Sequence, residues 1–367
     1  MTLDRPDMAR VRRVLIVKLS AIGDVVHALP VSAAIGEAFP HIELTWLVEE
    51  RAAPMVLGNP YLKEVIVLPM EWRRRRFHMA TATDFLRLAR RLRAKKFDIS
   101  LDLQGLSKSA LLAVASGARW RYCSDWPREI APLVERRIPR RPESLHIVDQ
   151  LLDVARFLGA DVKKVSFPLA IPPEDYAAAR QILASAGIEK DRPFAALNPS
   201  DGGGGHKGWD PVKYARLATL IRKDMGLPVV LIGGPEDRDV ARIILSEAEY
   251  APADLIGKTN LKQVAALLQC ASVHVAGDTG TAHIAAALGT PVVCIFGRTD
   301  PVRLAPYGQS HNAIHHRERC SPICRRYHDT APLNRPQKCL DPPPRCLDAV
   351  SVEEVFEAVR RVVSERL

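Results

Sequence analysis

The stretch ASVHVAGDTGTAHIAAALGTPVVCIF, residues 271–296, decides the fold class of this chain. Apolar runs at its two ends enclose a short polar turn and an alanine-rich segment, a pattern typical of strand, turn, helix and strand. Glycines let the backbone of the turn approach a ligand closely, hydroxyls add donors, and the N-terminus of the helix presents N–H groups without helical partners. The turn therefore predicts a diphosphate site at residues 277–283. The alternative is that Asp278 and Thr279 only cap the helix.

The same alternation of strand-like and helix-like segments runs through both halves of the chain. Strand-like runs such as Val14–Lys18 and Val229–Ile232 are each followed by a segment of helical character. The alternation predicts two Rossmann-like α/β domains with parallel sheets, residues 1–170 and 174–350, joined by a proline-containing linker. Because ligands of such sheets bind beyond the carboxyl ends of the strands, we expect the two sheets to face a central cleft.

Composition and charge narrow the class of protein. The 367 residues carry a formal net charge of +10 and are 47% hydrophobic, which indicates a globular protein attracted to polyanions such as nucleic acid, an anionic membrane surface or a phosphorylated substrate. Residues 1–13 are polar and charged, unlike a secretory signal, and the longest nearly apolar run, 284–297, is too short to span a membrane. We therefore expect a cytoplasmic protein.

Much of the positive charge lies in one segment of the first half. Between residues 71 and 97 there are ten basic residues, which are Arg73, Arg74, Arg75, Arg76, Arg87, Arg90, Arg91, Arg93, Lys95 and Lys96. The first four are expected in a loop, whereas the other six are also typical of the solvated face of helix 81–95. The four loop arginines are therefore the stronger candidates for binding an anion.

The segment LSAIGDVVH, residues 19–27, follows the first strand. It lacks the G-x-G-x-x-G pattern of dinucleotide-binding enzymes, which argues against a dehydrogenase. Asp24 stands at the start of a helix, where a carboxylate either accepts a proton from a substrate hydroxyl or caps the helix. His27, one turn further along, is expected to pack or to hydrogen-bond within the domain.

Two further turns of the second half carry candidate ligand-binding residues. NPSDGGGGHKGW, residues 198–209, follows a strand, and Lys207 has the length and charge to neutralise a phosphate. GGPED, residues 233–237, repeats the order of strand, turn and helix start. Glu236 therefore either binds ribose hydroxyls or caps the helix.

Several motifs together resemble those of the bacterial family 9 glycosyltransferases, the heptosyltransferase family. In chain order they are VLIVKLSAIGDVVHALP, LDLQGLSKSALL, WPREIAPL, LHIVDQLLDVARFLG, IGGPED and GDTGTAHIAAALGTPVVCIFGRTDP. The resemblance implies the GT-B fold, an α/β architecture of two Rossmann-like domains, with a last helix at 352–365 that returns to the first domain. It also implies inverting transfer of heptose from ADP-heptose to the Kdo sugar of Kdo-lipid A in lipopolysaccharide inner-core synthesis.

The resemblance also implies roles for individual residues. Asp24 is the general base that deprotonates the acceptor hydroxyl. Donor and nucleotide binding are implied for Lys207, Glu236, Asp278, Thr279, Gly280, Thr281 and His283. Acceptor binding is implied for Arg73, Arg74, Arg75, Arg76, Lys108, Arg128 and His146. Because Lys207 and the amides of the 279–281 turn stabilise the diphosphate, no metal ion is required for catalysis.

The implied partners account for the basic excess. They are ADP-heptose as donor and Kdo-lipid A as acceptor, whose phosphates and carboxylates lie at the anionic cytoplasmic face of the inner membrane. Two alternatives remain: a family 9 transferase with another donor or core acceptor, and a non-enzymatic nucleotide- or polyanion-binding protein. The basic segments lack the interleaved aromatic residues typical of nucleic-acid binding, so no nucleic-acid partner is expected.

The cysteines fall into two groups. Cys123, Cys270 and Cys294 lie in or beside apolar segments and are predicted to be small core residues. Four others lie in a proline-rich stretch, where they either form a structural clip for zinc or iron or bind no metal; these are Cys320, Cys324, Cys339 and Cys346. Disulfides are disfavoured in a cytoplasmic protein.

Overall fold

The structure is a computed structural model, and it describes residues 4–69, 79–125, 127–189, 191–200, 208–297, 299–318 and 345–365. Several residues singled out above lie outside these ranges, namely Arg73, Arg74, Arg75, Arg76, Lys207, Cys320, Cys324 and Cys339. The chain divides into two compact units, Met1–Ala170 and Ile171–Leu367. The division falls within the proline-containing segment that the sequence marks as a linker.

The first unit is built on a parallel sheet. Its strands are β1 (Arg13–Val17), β2 (Glu43–Glu49), β3 (Leu62–Leu68), β4 (Ile99–Asp102), β5 (Trp120–Cys123) and β6 (Arg136–Arg137), in the order β3-β2-β1-β4-β5-β6. Its helices in the described residues are α1 (Ile22–Ala38), α2 (Met79–Ala94), α3 (Ser107–Ala115), α4 (Ala131–Val134) and α5 (Ile147–Leu158). Leu15 and Ile16 of β1 are both fully buried, as a parallel sheet with helices on both faces requires.

The second unit repeats this architecture. Its strands are β7 (Ala195–Asn198), β8 (Val229–Leu231), β9 (Ala253–Asp254), β10 (Val273–Gly277), β11 (Val292–Phe296) and β12 (Ala313–His315), in the order β12-β11-β10-β7-β8-β9. Its helices in the described residues are α6 (Pro173–Ser185), α7 (Pro211–Met225), α8 (Arg238–Glu247), α9 (Leu261–Cys270), α10 (Gly280–Ala287), α11 (Pro301–Leu304), α12 (Arg345–Asp348) and α13 (Val352–Ser364). The two parallel sheets confirm the predicted α/β fold class.

Each sheet has a point at which the direction of the strand order reverses. This switch point lies between β1 and β4 in the first unit and between β7 and β10 in the second. At a switch point, the chain leaves the two central strands toward opposite faces of the sheet and opens a crevice beyond their carboxyl ends, where α/β sheets bind ligands. The fold therefore places the segment after β1 beside the segment after β4, and the segment after β7 beside the segment after β10.

The C-terminal helix α13 packs within the second unit. Its buried residues Val355 and Val359 share one apolar core with Leu217 of α7, and the helix contacts β10 and β11. The indole Nε1–H of Trp209 donates to the Val350 carbonyl oxygen (3.1 Å) just before the helix begins. The prediction that helix 352–365 joins the first domain is therefore wrong, because its apolar stripe is already buried against the second sheet.

The burial of each described cysteine can be compared with the predictions. Cys123 and Cys294 are buried, as predicted. Cys270 is exposed, contrary to prediction, because it is the last residue of α9 and lies beyond the helix's buried residues, which end at Leu268. Cys346 is buried in the apolar core of the second unit beside Leu347. None of the helices in the described part of the chain is both long enough and apolar enough to cross a membrane.

Candidate active site

Asp24 lies in the first turn of α1, at the switch point of the first sheet. Its Oδ2 accepts a hydrogen bond from the Ala21 N–H (3.2 Å), so the carboxylate does stabilise the start of the helix. Among the described residues, its Oδ1 receives no hydrogen bond, and the side chain is only half-buried. One oxygen thus holds the carboxylate in place while the other remains available to a ligand. The capping role and the proton-accepting role are therefore compatible.

The candidate acceptor residues of the described chain lie near this edge. Lys108 Nζ pairs with Glu49 Oε1 (2.5 Å), and the Arg128 N–H donates to the Gly105 carbonyl oxygen (2.8 Å) beside the segment after β4. The imidazole of His146 packs edge-on against buried His27, one turn from Asp24, with ring centroids 6.0 Å apart. The structure thus brings Lys108, Arg128 and His146 to the same end of the sheet as Asp24.

The basic residues of α2 have acidic partners within the first unit. Arg87 pairs with Asp84 (2.8 Å), and Arg91 pairs with Glu64 (3.0 Å), which also binds Lys95. The two cations lower the pKa of Glu64 against the opposing effect of its burial. These pairs fit a solvated helix face, so the helix contributes less positive potential to a ligand than its composition indicates.

In the second unit, the turn after β10 leads directly into α10. Thr279 is the residue that precedes the helix, but its side chain makes no capping hydrogen bond to the helix amides within the described residues. Asp278 Oδ1 contacts His283 Nε2 (3.2 Å); His283 is buried and Asp278 is partly buried. The Thr279 side chain therefore does not cap α10, and Asp278 has His283 as a partner besides any role at the start of the helix. The N-terminus of α10 keeps the character of an anion site.

A chain of hydrogen bonds that starts at the buried residue His274 of β10 holds this turn in position. His274 Nδ1 lies 2.9 Å from the Ala196 carbonyl oxygen, and a carbonyl only accepts, so Nδ1 carries the proton. Burial lowers the pKa of His274 to about 4, which keeps the ring neutral and leaves Nε2 as an acceptor. Nε2 therefore accepts the hydroxyl proton of Thr281 (3.1 Å). The tautomer follows from the partners rather than from observed hydrogens.

The direction of the remaining bonds follows from that tautomer. Because Thr281 donates to His274, its Oγ1 must accept from Thr279 Oγ1 (3.1 Å) and from Asn198 Nδ2 (3.0 Å). Both threonine hydroxyl protons are thus used inside the protein. The expectation that hydroxyls add donors for the diphosphate is corrected: the turn offers backbone N–H groups, and the hydroxyls hold them in position.

His274 and Asn198 were not predicted as site residues. His274 is a fully buried polar residue within the strand of the opening stretch, and Asn198 is buried at the end of β7. A polar side chain inside an otherwise apolar buried strand is a signal that reasoning from sequence can use. The partner of such a side chain cannot be predicted from the sequence. Thr281 contacts Asn198 because β7 pairs with β10.

The turn after β8 separates the two predicted roles of Glu236. The Gly234 N–H donates to Asp237 Oδ2 (2.8 Å), and Asp237 is buried. The capping role thus belongs to Asp237. Glu236 is exposed at the carboxyl end of β8, next to the strand that carries Asn198. This position suits contact with a ligand at the switch point.

Comparison with known proteins identifies the family. Residues 85–333, more than half of the chain, match the model of the family described as Glycosyltransferase family 9 (heptosyltransferase). The chain belongs to glycosyltransferase family 9. It is therefore a transferase enzyme, and the alternative of a non-enzymatic binding protein is set aside.

Individual relatives of this family 9 enzyme extend over most of its length. It is 28% identical to the lipopolysaccharide core heptosyltransferase OpsX of Haemophilus influenzae over 82% of this chain and 83% of that protein. It is 29% identical to lipopolysaccharide heptosyltransferase 1 of Pseudomonas aeruginosa over 90% of this chain and 91% of that protein. Lipopolysaccharide heptosyltransferases 2 and 3 match at 24% identity.

A solved structure agrees with the fold. The structure of E. coli heptosyltransferase WaaC with ADP aligns with a TM-score of 0.70 and 26% identity, over 95% of this chain and 99% of that one. The predicted GT-B fold class is thus confirmed.

Among the residues that the structure describes, no group of three or more His, Cys, Asp or Glu side chains is arranged to hold a metal ion. Of the four cysteines predicted as a possible clip, the structure describes only Cys346.

Proposed function

We propose that this family 9 enzyme transfers heptose from ADP-heptose to the Kdo sugar of Kdo-lipid A, the first heptose addition to the inner core. The similarity to heptosyltransferase 1 proteins supports this choice, as does the similarity to WaaC, whose structure was solved with ADP. The observation that carries the proposal is Asp24, with one oxygen fixed by the Ala21 N–H and the other available at the switch point of the first sheet.

The reaction we propose is a single inverting displacement. The acceptor hydroxyl oxygen forms a bond to the anomeric carbon of the heptose while the bond from that carbon to the ADP phosphate oxygen breaks. Asp24 accepts the hydroxyl proton, and ADP leaves with the electron pair of the broken bond. The charge that develops on the diphosphate is stabilised by N–H groups of Thr279, Gly280 and Thr281, which the His274 chain holds in place.

Several other assignments belong to this proposal. Lys207 would place its positive charge beside the diphosphate. The amides and the ammonium group would then stabilise the negative charge that a divalent metal ion stabilises in other enzymes. Glu236 would accept hydrogen bonds from the ribose. The loop arginines Arg73–Arg76, with Lys108, Arg128 and His146, would bind the anionic acceptor. The enzyme would act at the cytoplasmic face of the inner membrane, where its net charge of +10 favours anionic lipid.

The discriminating experiment measures ADP release from ADP-heptose. Kdo-lipid A should stimulate ADP release, and an acceptor that already carries the first heptose should not. Stimulation only by the heptosylated acceptor would assign the enzyme to a later core step, in line with its similarity to heptosyltransferases 2 and 3. Donor binding without stimulation by either acceptor would refute the proposal.

A pair of variants tests the role of Asp24. Asp24→Asn keeps the shape of the side chain but removes the base, so we expect kcat to fall about 100-fold or more with little change in affinity for the donor. Asp239→Asn is the matched control, because Asp239 also lies in the first turn of a helix and forms an exposed ion pair with Arg242. Equal losses of kcat and donor binding in Asp24→Asn would indicate a structural role.

A further inference from the structure

Gln104 joins the two segments that meet at the switch point of the first unit. It lies two residues after the end of β4, and its Oε1 accepts hydrogen bonds from the N–H groups of both Leu19 and Ser20, each at 3.2 Å. Leu19 and Ser20 belong to the segment after β1, and Leu19 is buried. One side-chain oxygen thus holds two successive amides of the segment that leads to Asp24.

The backbone of Gln104 is itself held by a buried carboxylate. Asp102 Oδ1 accepts from the N–H groups of Gln104 (2.8 Å) and Gly105 (2.9 Å), and Asp102 Oδ2 accepts from the Ser109 hydroxyl (2.7 Å). Gly105 has a φ of 70°, in the left-handed region that glycine adopts without strain. With these bonds the turn after β4 has one defined shape, which aims the Gln104 side chain at the segment after β1.

A second buried carboxyl group completes this support. Glu135 is buried, and the negative charge of Asp102 acts on its carboxyl group. Burial and the charge of Asp102 raise the pKa of Glu135 to about 9. Glu135 is therefore the neutral carboxyl group of the two at pH 7, and Asp102 carries the negative charge that its three donors stabilise.

One further contact ties the same two segments together, and another holds the segment after β1 to β2. Lys18 Nζ donates to the Leu103 carbonyl oxygen (2.8 Å), and the indole Nε1–H of Trp46 donates to the Lys18 carbonyl oxygen (3.1 Å). The next amide after Ser20 is that of Ala21, which donates to Asp24 Oδ2. The amides that Gln104 holds therefore immediately precede the amide that holds Asp24.

We propose that Gln104 is a positioning residue for Asp24: its oxygen fixes the Leu19–Ser20 backbone and so sets where the carboxylate meets the acceptor hydroxyl. This inference rests on the proposed function, in which Asp24 is the base. Misplacement of a reacting group by about 1 Å costs on the order of 100-fold in rate. Loss of the Gln104 oxygen should consequently act on the chemical step, not on the binding of the donor to the second unit.

The test compares three variants of the full chain. Gln104→Met keeps the length of the side chain and removes the acceptor oxygen, whereas Gln104→Glu retains an acceptor oxygen. Gln181→Met is the control, with the same change at an exposed glutamine of α6. Kinetics with ADP-heptose and Kdo-lipid A give kcat and the donor KM. Hydrogen exchange of the Leu19 and Ser20 amides reports on the two hydrogen bonds without any substrate.

We expect Gln104→Met to lower kcat about 10- to 100-fold, to leave the donor KM within about threefold, and to accelerate exchange of both amides. Gln104→Glu should regain protection and part of kcat, and Gln181→Met should match the wild type. Unchanged exchange in Gln104→Met, or faster exchange with unchanged kcat, would overturn the positioning role alone. A wild-type protein that releases no ADP under these conditions would instead overturn the proposed function and the positioning role with it.

Discussion

The hydroxyl of Thr281 is the centre of the polar cluster beneath the predicted diphosphate site, and its removal is the sharpest test of that cluster. It donates to His274 Nε2 and accepts from Asn198 Nδ2 and Thr279 Oγ1. Thr281→Val replaces this hydroxyl by a methyl group of similar size. The substitution leaves no cavity, so any effect comes from the lost hydrogen bonds.

The expected cost follows from the groups that lose their partner. His274 and Asn198 are buried, and a buried polar group without a partner costs about 1–3 kcal/mol. Two such groups amount to roughly 2–6 kcal/mol, while the Thr279 hydroxyl is a rotor that can turn toward another acceptor. Thr281→Ser keeps the hydroxyl and loses one methyl group, which costs about 0.8 kcal/mol.

The free energy of unfolding of the second unit is measured separately from that of the first by urea unfolding, with hydrogen exchange of peptides from β10 and α10 as the readout. Thr281→Val should unfold at clearly lower urea than Thr281→Ser, and it should bind ADP about tenfold or more weakly, because the first amides of α10 are no longer held in place. Equal stability and equal ADP affinity in the two variants would refute the hydrogen-bond directions deduced above.

Three further predictions concern charge. Burial lowers the pKa of His274 to about 4, so as the pH falls His274 takes up a proton in the unfolded chain before it does so in the folded one. The second unit should therefore lose about 2 kcal/mol of stability between pH 7 and pH 5. Urea unfolding of His274→Gln should not show that loss. Glu135 has a raised pKa, so its contribution to stability is complete at low pH and is lost as the pH rises toward 9. Glu135→Gln keeps a neutral polar side chain beside Asp102 and should lose less stability between pH 5 and pH 8. Replacing Arg73–Arg76 by glutamine should raise the acceptor KM with an unchanged donor KM, whereas replacing Arg90 and Arg93, exposed on α2, should change neither.

Patterns within single segments of the sequence were sufficient to predict the α/β architecture. The apolar runs and the turns between them predict two parallel α/β sheets, and the position of Asp24 after β1 follows from the same pattern. Helix 352–365 shows the limit of such reasoning. Its apolar stripe requires a partner surface, but a stripe of valines does not specify which sheet it covers, and in the structure it covers the second.

The contacts at the site depend on residues that are distant in sequence. The turn at 277–283 is visible as a phosphate-binding pattern in the sequence, yet the direction of its hydroxyls depends on His274 and on Asn198 of the neighbouring strand. Likewise, Gln104 belongs to a recognisable motif, but its contact with Leu19 and Ser20 exists only because β1 and β4 are adjacent.

Fold class and family could be predicted from the amino-acid sequence, because periodicity, turn chemistry and motifs are local properties of the chain. The hydrogen-bond partners at the turns after β4 and β10, and so which polar atoms donate and which accept there, follow from the packing of distant segments. The physical reason is that buried polar groups must find partners wherever the strand order places them, and that order is set by the packing of whole elements.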